Sequence, residues 1–220
     1  PRFVDLGSTT ENVFNSAAKV LEINSKTGLY PLYITYSIYK HKICENKDVY
    51  FEEKITIWDT VVRDNIYVIC KTPMAKLITK RTLLGYRSGK TNMHAFDDLI
   101  MQLKDKPDKF IEKVSKDTFW GKGGNEIMKF NAVVGNPPYQ EENTNNSRKA
   151  PVYHLFYDAA FLLSDISTLI SPARFLFNAG QTPNEWNEKM LNDEHLKVVK
   201  YYENSKDVFP TVDIKGGVVV

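Results

Sequence analysis

The chain has 220 residues, 42% of them hydrophobic and 25% charged, with a formal net charge of +2 at pH 7. That is enough apolar material for one sizeable domain, and too slight a basic excess to argue for nucleic acid by charge alone. Two cysteines (Cys44 and Cys70) exclude a disulfide scaffold, and His41, His94, His154 and His195 lack metal-ligand spacing, so no metal is expected. No apolar run is long enough to span a membrane, no signal peptide is visible, and free thiols suit a reducing cytoplasm. The chain begins at Pro1 and stops at Gly217–Val220, which reads as the middle of a strand. An open apolar strand is an unprotected edge, so residues 1–220 are expected to be one domain excised from a longer protein.

In chain order, Ser8-Thr9-Thr10-Glu11 predicts a helix start, and Lys19–Ile23 a short buried strand. The strand breaks at Asn24–Gly28 and leads into an aromatic-rich helix over Leu29–Lys42. Apolar spacing predicts a helix within Asp48–Arg63, then a strand over Asn65–Cys70. Pro73 suits the first turn of a helix over Met74–Leu84. Arg87–Asn92 reads as a loop, followed by charged helical sequence to about Lys116, broken near Pro107. Gly121–Gly124 is a turn before a strand over Phe130–Val134. Gln140–Lys149 is polar and predicts a mobile loop. Then come a helix over Val152–Leu163, a strand over Ser167–Ile170, a helix near Asn184–Leu191, a strand over Leu196–Tyr202 and a paired segment at Asp213–Val220. Strands alternating with helices give an α/β class with a mostly parallel sheet. Ligands in such sheets sit beyond the carboxyl ends of the strands, and both Asn24–Gly28 and Asn136–Tyr139 follow a strand.

Asn136-Pro137-Pro138-Tyr139 carries the strongest chemistry. Alkylating an exocyclic amine requires its lone pair to be drawn out of the ring, which two uncharged acceptors arranged around the NH2 can do. An asparagine side-chain oxygen and a backbone carbonyl supply them. Two prolines fix φ and remove two donors, holding the Pro137 carbonyl in one direction. Tyr139 can stack on a base, which must first leave the duplex. An ordinary Pro-Pro turn is the competing reading, and the preceding strand argues against it.

Here the chain resembles the γ-class adenine-N6 DNA methyltransferases, and most nearly the type II restriction-modification enzymes that fuse methylase and endonuclease. The resemblance runs from about Gly7 to Val219. Gly7-Ser8-Thr9-Thr10 is similar to the upstream motif that packs on the cofactor, and Val20–Gly28 to the cofactor loop. Ile66–Pro73 resembles the second-strand motif, Tyr153–Ala160 and Ser167–Phe175 the later helix and strand, and Phe209-Pro210 the segment whose aromatic faces the flipped base. The resemblance implies a Rossmann-like S-adenosylmethionine-dependent methyltransferase fold, with helices on both faces of the sheet. It implies Asn136, Pro137, Pro138 and Tyr139 as catalytic residues, Tyr139 and Phe209 around the substrate base, and Thr10, Glu22, Asn24, Lys26, Thr27, Gly28 and Asp117 at the cofactor. Asp117 is the acid implied near the adenine moiety.

Two positions depart from that pattern. Lys26 replaces a glycine, and either reaches the methionine carboxylate from a helix N-terminus or is a solvated lysine on a turn. Cys70 stands where an acid accepts the ribose hydroxyls, and a thiol there reads as packing. Gly85–Thr91 imitates a phosphate loop but has three residues between its glycines where four are needed. Trp58, Trp120 and Trp186 read as packing residues.

The implied activity is methyl transfer from S-adenosylmethionine to adenine N6 in double-stranded DNA with a flipped adenine. The implied partners are that DNA and covalently linked domains of the parent chain, where target recognition and any magnesium-dependent nuclease reside. Two rivals stand beside it. One is methylation of RNA or of a protein glutamine, which the same four residues serve. The other is a non-catalytic DNA-recognition scaffold, motivated by Lys26 and Cys70.

Overall fold

Five short strands, the central ones rich in apolar residues, assemble the main sheet in the computed structural model, which describes residues 13–45, 50–124, 127–141, 150–179 and 181–220. β1 (Val20–Ser25), β2 (Ile66–Cys70), β3 (Asn92–Ala95), β4 (Ala132–Gly135) and β5 (Ser167–Leu169) lie side by side in the order β3-β2-β1-β4-β5. Every neighbouring pair is parallel. Between them run α1 (Leu29–Glu45), α2 (Phe51–Asp64), α3 (Pro73–Leu84), α4 (Leu99–Asp105), α5 (Pro107–Val114) and α6 (Tyr153–Leu163). α7 (Asn184–Leu191) follows, and β6 (Ser171–Pro172), β8 (Val218–Val219) and β7 (Tyr201–Tyr202) form a small antiparallel sheet. The expected helix start at Ser8–Glu11 and residues 142–149 of the expected mobile loop lie outside the described residues.

The side-chain period of two sorts each strand between two cores. Val20, Val68, Cys70, Ala132 and Val134 face Ile34 and Ile38 of α1, Val61 and Val62 of α2, and Leu83 and Leu84 of α3. Leu21, Ile23, Tyr67, Ile69 and Val133 face Leu103, Phe110, Phe156 and Phe130 on the other side. Helices therefore cover both faces, as the family resemblance implies, and both faces of the central strands are dry.

Local rules explain most boundaries. The Thr72 hydroxyl accepts from the Ala75 amide at 3.1 Å, and Pro73 opens α3. α4 and α5 break at Lys106, immediately before Pro107, as the sequence predicts. β3 is the exception, because Asn92–Ala95 reads as loop running into helix. Tertiary contacts make it a strand: the Asn92 amide donates to the carbonyls of Arg63 at 2.7 Å and Ile66 at 2.9 Å, and Met93 is buried. The expected strand over Leu196–Tyr202 narrows to Tyr201–Tyr202, because its partner β8 offers two residues for pairing.

Candidate active site

The strand order reverses between β1 and β4. From β1 the chain proceeds to β2 and β3 on one side, then crosses to β4 and β5 on the other. A crevice opens beyond the carboxyl ends at such a reversal, and here it is a cleft of about 700 Å³. Glu22, Asn24, Lys26 and Thr27 line it from the β1 side, and Asn136 from the β4 side. One face of α1, including Tyr30, Tyr33 and Tyr36, forms a further wall, and Phe209 closes the rim. Trp58 also lines the cleft while its indole donates to the Leu83 carbonyl at 2.8 Å, so it does more than pack.

Glu22 is the buried acid of this cleft. It is 3% exposed, and one carboxylate oxygen has no hydrogen-bond partner. Burial pushes its carboxyl up to about 8, against a smaller lowering by the Ser25 hydroxyl. Burial also pushes the Tyr30 phenol up to about 12, with a further contribution from the Glu22 charge. A buried carboxylate with a free acceptor is suited to a cationic ligand group, since pairing offsets the desolvation that burial imposes. Both the α-ammonium and the sulfonium of S-adenosylmethionine have that character, so this residue fits the implied cofactor.

Helix α3 clamps the loop after Glu22. The Ser25 and Thr79 hydroxyls lie 3.1 Å apart, and the Thr82 hydroxyl donates to the Thr27 carbonyl at 2.7 Å. Gly28 has φ +77°, and a Cβ there would sit 3.0 Å from the Thr79 Cα. Both facts require glycine at this position. Lys26 and Thr27 remain exposed at the rim, the placement a lysine needs to reach a carboxylate from the start of α1.

Across the reversal, Gly135 ends β4 against β1, and Asn136 follows it half-buried. The Asn136 side chain has no hydrogen-bond partner among the described residues, leaving its amide free to serve a ligand in the cleft. Pro137 is buried and Pro138 half-buried. Tyr139 is anchored by its main chain, whose carbonyl accepts from the Val152 amide at 3.2 Å, next to an antiparallel bridge between Gln140 and Pro151. Its phenol is raised by burial, and the hydroxyl is enclosed without a partner. The ring meets Phe209 edge-to-face at 6.3 Å and 67°. Tyr139 and Phe209 are thus brought together, but in contact with each other and not as parallel plates. On its other side Tyr139 lines a smaller pocket of about 170 Å³ with Arg174 and Asp213.

Three further positions complete the comparison with the expected cofactor site. Thr10 lies outside the described residues. Asp117 opens a 3-10 turn beyond α5, and its charge is felt by Tyr67 and Lys122. Lys122 in turn reaches the Arg63 carbonyl, just before β2 begins. Asp117 therefore lies near the residues that begin β2 and is not among those lining the cleft. The reason is topological, since the chain has already returned through α4 and α5 before reaching it. Cys70 is fully buried at the end of β2, where Thr79 hydrogen-bonds its thiol and burial pushes it up to about 12. It packs between helix and sheet as a neutral thiol. An acid that the sequence reading passed over is Asp97, exposed just past the carboxyl end of β3. Its signal was the strand before it, which Asn92–Ala95 hides.

Comparison with known proteins agrees with this architecture. A curated Mycoplasma pneumoniae protein described as an uncharacterized adenine-specific methylase is 30% identical over 96 residues, covering 42% of this chain and 23% of its own length. A modification subunit of a putative type I restriction enzyme from Vibrio vulnificus YJ016 superposes with a TM-score of 0.53 at 14% identity, covering 96% of this chain and 41% of its own. The M protein of the type I restriction enzyme EcoKI superposes with a TM-score of 0.55 at 12% identity, covering 93% and 38%. The structural likeness concerns the fold, and the chain spans about a quarter of the curated relative and two fifths of these structures. Residues 64–209, about two thirds of the chain and including Asn136–Tyr139, match the family described as Eco57I restriction-modification methylase, and the chain belongs to that family.

Proposed function

We propose that this chain is the S-adenosylmethionine-dependent catalytic domain of a DNA adenine-N6 methyltransferase in a restriction-modification system. The observation that carries the reading is Asn136. Its side-chain amide, without a hydrogen-bond partner among the described residues, lies at the switch point of the sheet, in one cleft with the buried carboxyl of Glu22. Family membership and the adenine-specific relative favour this chemistry over the same four residues serving RNA or a protein glutamine.

S-adenosylmethionine, when bound, supplies an electrophilic methyl group. Glu22 would accept its cationic end, Lys26 would attract its carboxylate, and Asn24, Thr27 and Gly28 would shape the loop around it. Asn136, through its side-chain oxygen, and Pro137, through its carbonyl, accept from the adenine amino group, drawing its lone pair toward the methyl donor. The nitrogen would gain the methyl group as the donor's S–CH3 bond breaks to leave a neutral thioether, and would release one proton to solvent. Positioning and polarisation carry the rate in this scheme. Tyr139 and Phe209 must part or rotate to admit the flipped base, because they meet edge-to-face when free. The DNA-recognition region and any fused endonuclease belong to the rest of a longer polypeptide, as in the type II enzymes that the sequence resembles. No described helix is long and apolar enough to cross a membrane, and a reducing cytoplasm suits the two free thiols.

The test is radiolabel transfer from S-adenosylmethionine to plasmid DNA by the full-length protein. Asn136→Ala is expected to lower transfer by about a hundredfold or more, the scale of losing one oriented polar group, with cofactor affinity unchanged. Near-normal transfer would remove Asn136 from the reaction. Cys70 favours one rival, a recognition scaffold without a working cofactor site, since a buried thiol replaces the ribose-binding acid. Calorimetric titration with S-adenosylmethionine separates the two, and absence of binding would favour the scaffold.

A further inference from the structure

β1 ends with an irregularity that a plain cofactor loop does not require. The register pairs Ile23 with Ile69 and then Ser25 with Cys70, so Asn24 is bulged out of the ladder. It holds φ at 71°, in the left-handed region, and is 4% exposed. Glycine is the residue that adopts this backbone without strain, and asparagine is among the few others that tolerate it. A preference for asparagine over glycine at such a site points to its side chain. The Asn24 amide donates to the main-chain carbonyl of Asn136 at 3.2 Å. The ladder between β1 and β4 stops at Glu22 and Val134, so this bond ties the two strand-end loops together beyond the sheet.

The bonded carbonyl belongs to the peptide between Asn136 and Pro137. Its direction sets ψ of Asn136, and hence where the Asn136 side chain and the Pro137 carbonyl project. The proline on its far side contributes no donor of its own. We infer that Asn24 is a positioning residue, which locks the Asn136–Pro137 peptide and so couples the methyl-donor loop to the loop that receives the amine. This rests on the reading of Asn136 as an amine acceptor. It assigns Asn24 a role toward the substrate side, in addition to any contact with the cofactor.

The decisive variant is Asn24→Gly in the full-length protein, because glycine keeps the left-handed backbone and removes only the amide. Transfer is expected to show kcat lowered about tenfold to a hundredfold, the effect of a small misplacement of the reacting groups, with a clearly smaller loss of S-adenosylmethionine affinity. Asn24→Asp, which turns a carboxylate oxygen toward the carbonyl, is expected to be slower still. Unchanged kcat in Asn24→Gly, or equal losses of kcat and cofactor affinity, would overturn the inference. A crystal structure of Asn24→Gly decides the geometry without relying on activity. A rotated Asn136–Pro137 peptide is expected, and an unmoved one would overturn the coupling. Failure of the unsubstituted protein to methylate adenine would instead refute the function proposed above.

Discussion

Glu22 links burial to pH in a way that one substitution exposes. Burial favours its neutral acid, so the folded domain keeps a proton there up to about pH 8, whereas the unfolded chain releases it near 4.5. The unfolded state binds fewer protons across that window, so stability of the ligand-free protein falls as pH rises from about 4.5 to about 8. Glu22→Gln stays neutral throughout, and its denaturation midpoint is expected to lack that decline. A cationic ligand favours the ionised form, so binding below pH 8 should expel a proton from Glu22. Calorimetry in two buffers of different ionisation enthalpy measures the proton release, which should shrink in Glu22→Gln; equal release from both proteins would place the ligand's charge elsewhere. Tyr139 offers a second test at this scale. Its enclosed hydroxyl has no partner, so Tyr139→Phe removes an unsatisfied polar group whose burial costs about 1–3 kcal/mol. That variant should melt no lower than the parent and keep transferring methyl groups. Tyr139→Ala should weaken binding of the flipped base by about 1–3 kcal/mol, the range for losing one stacking face. A Phe variant as impaired as Ala would assign the hydroxyl a part in the reaction.

At the scale of elements, the site depends on how closely β4 approaches β1. A Cβ on Gly135 would lie 2.6 Å from the Ile23 carbonyl oxygen and 3.2 Å from the Ile23 side chain. Backbone cannot yield as the end of a flexible side chain can, so Gly135→Ala must push the strands apart. The expected loss is about 1–3 kcal/mol of stability, as for other overpacked sites. Because Asn136 is the next residue, methyl transfer should fall further than the stability change explains. Denaturant unfolding and single-turnover transfer on the same samples measure the two effects; unchanged transfer would show that the loop re-seats itself. The clamp of α3 on the loop after β1 is of the same kind. Thr79 and Thr82 lie on a helix, yet they fix a loop more than fifty positions away in sequence.

For the whole molecule, the cleft lies where elements of both halves of the sheet converge. A ligand bound there contacts the β1 loop, α1 and the Asn136 loop together, and so should stabilise the domain as a unit. At a hundredfold excess over its dissociation constant, a ligand that binds only the folded state adds about 2.7 kcal/mol. For a domain near this size that raises the melting temperature by about 5–10 °C. Thermal unfolding with and without S-adenosylmethionine measures it, and an unmoved transition would favour the scaffold reading.

The sequence by itself determined the alternation of strands and helices, the start of α3 through Thr72 and Pro73, the break at Pro107, and the position of the Asn136–Tyr139 loop directly after a strand. These are local matters, set by side-chain period, capping and the fixed φ of proline, and a short window of sequence contains them. Tertiary structure decided the rest. It made a strand of Asn92–Ala95, whose pairing is supplied by β2 and by carbonyls near residue 63. It set Asp117 near the start of β2 and Asp97 just past the carboxyl end of β3, because distance along the chain says little about position once helices intervene. It set Tyr139 and Phe209 edge-to-face, and it turned Asn24, bulged from its strand, toward the carbonyl of Asn136. Each of these depends on which strands become neighbours. Strand order is fixed by how two cores bury their helices, which no single segment of the chain encodes.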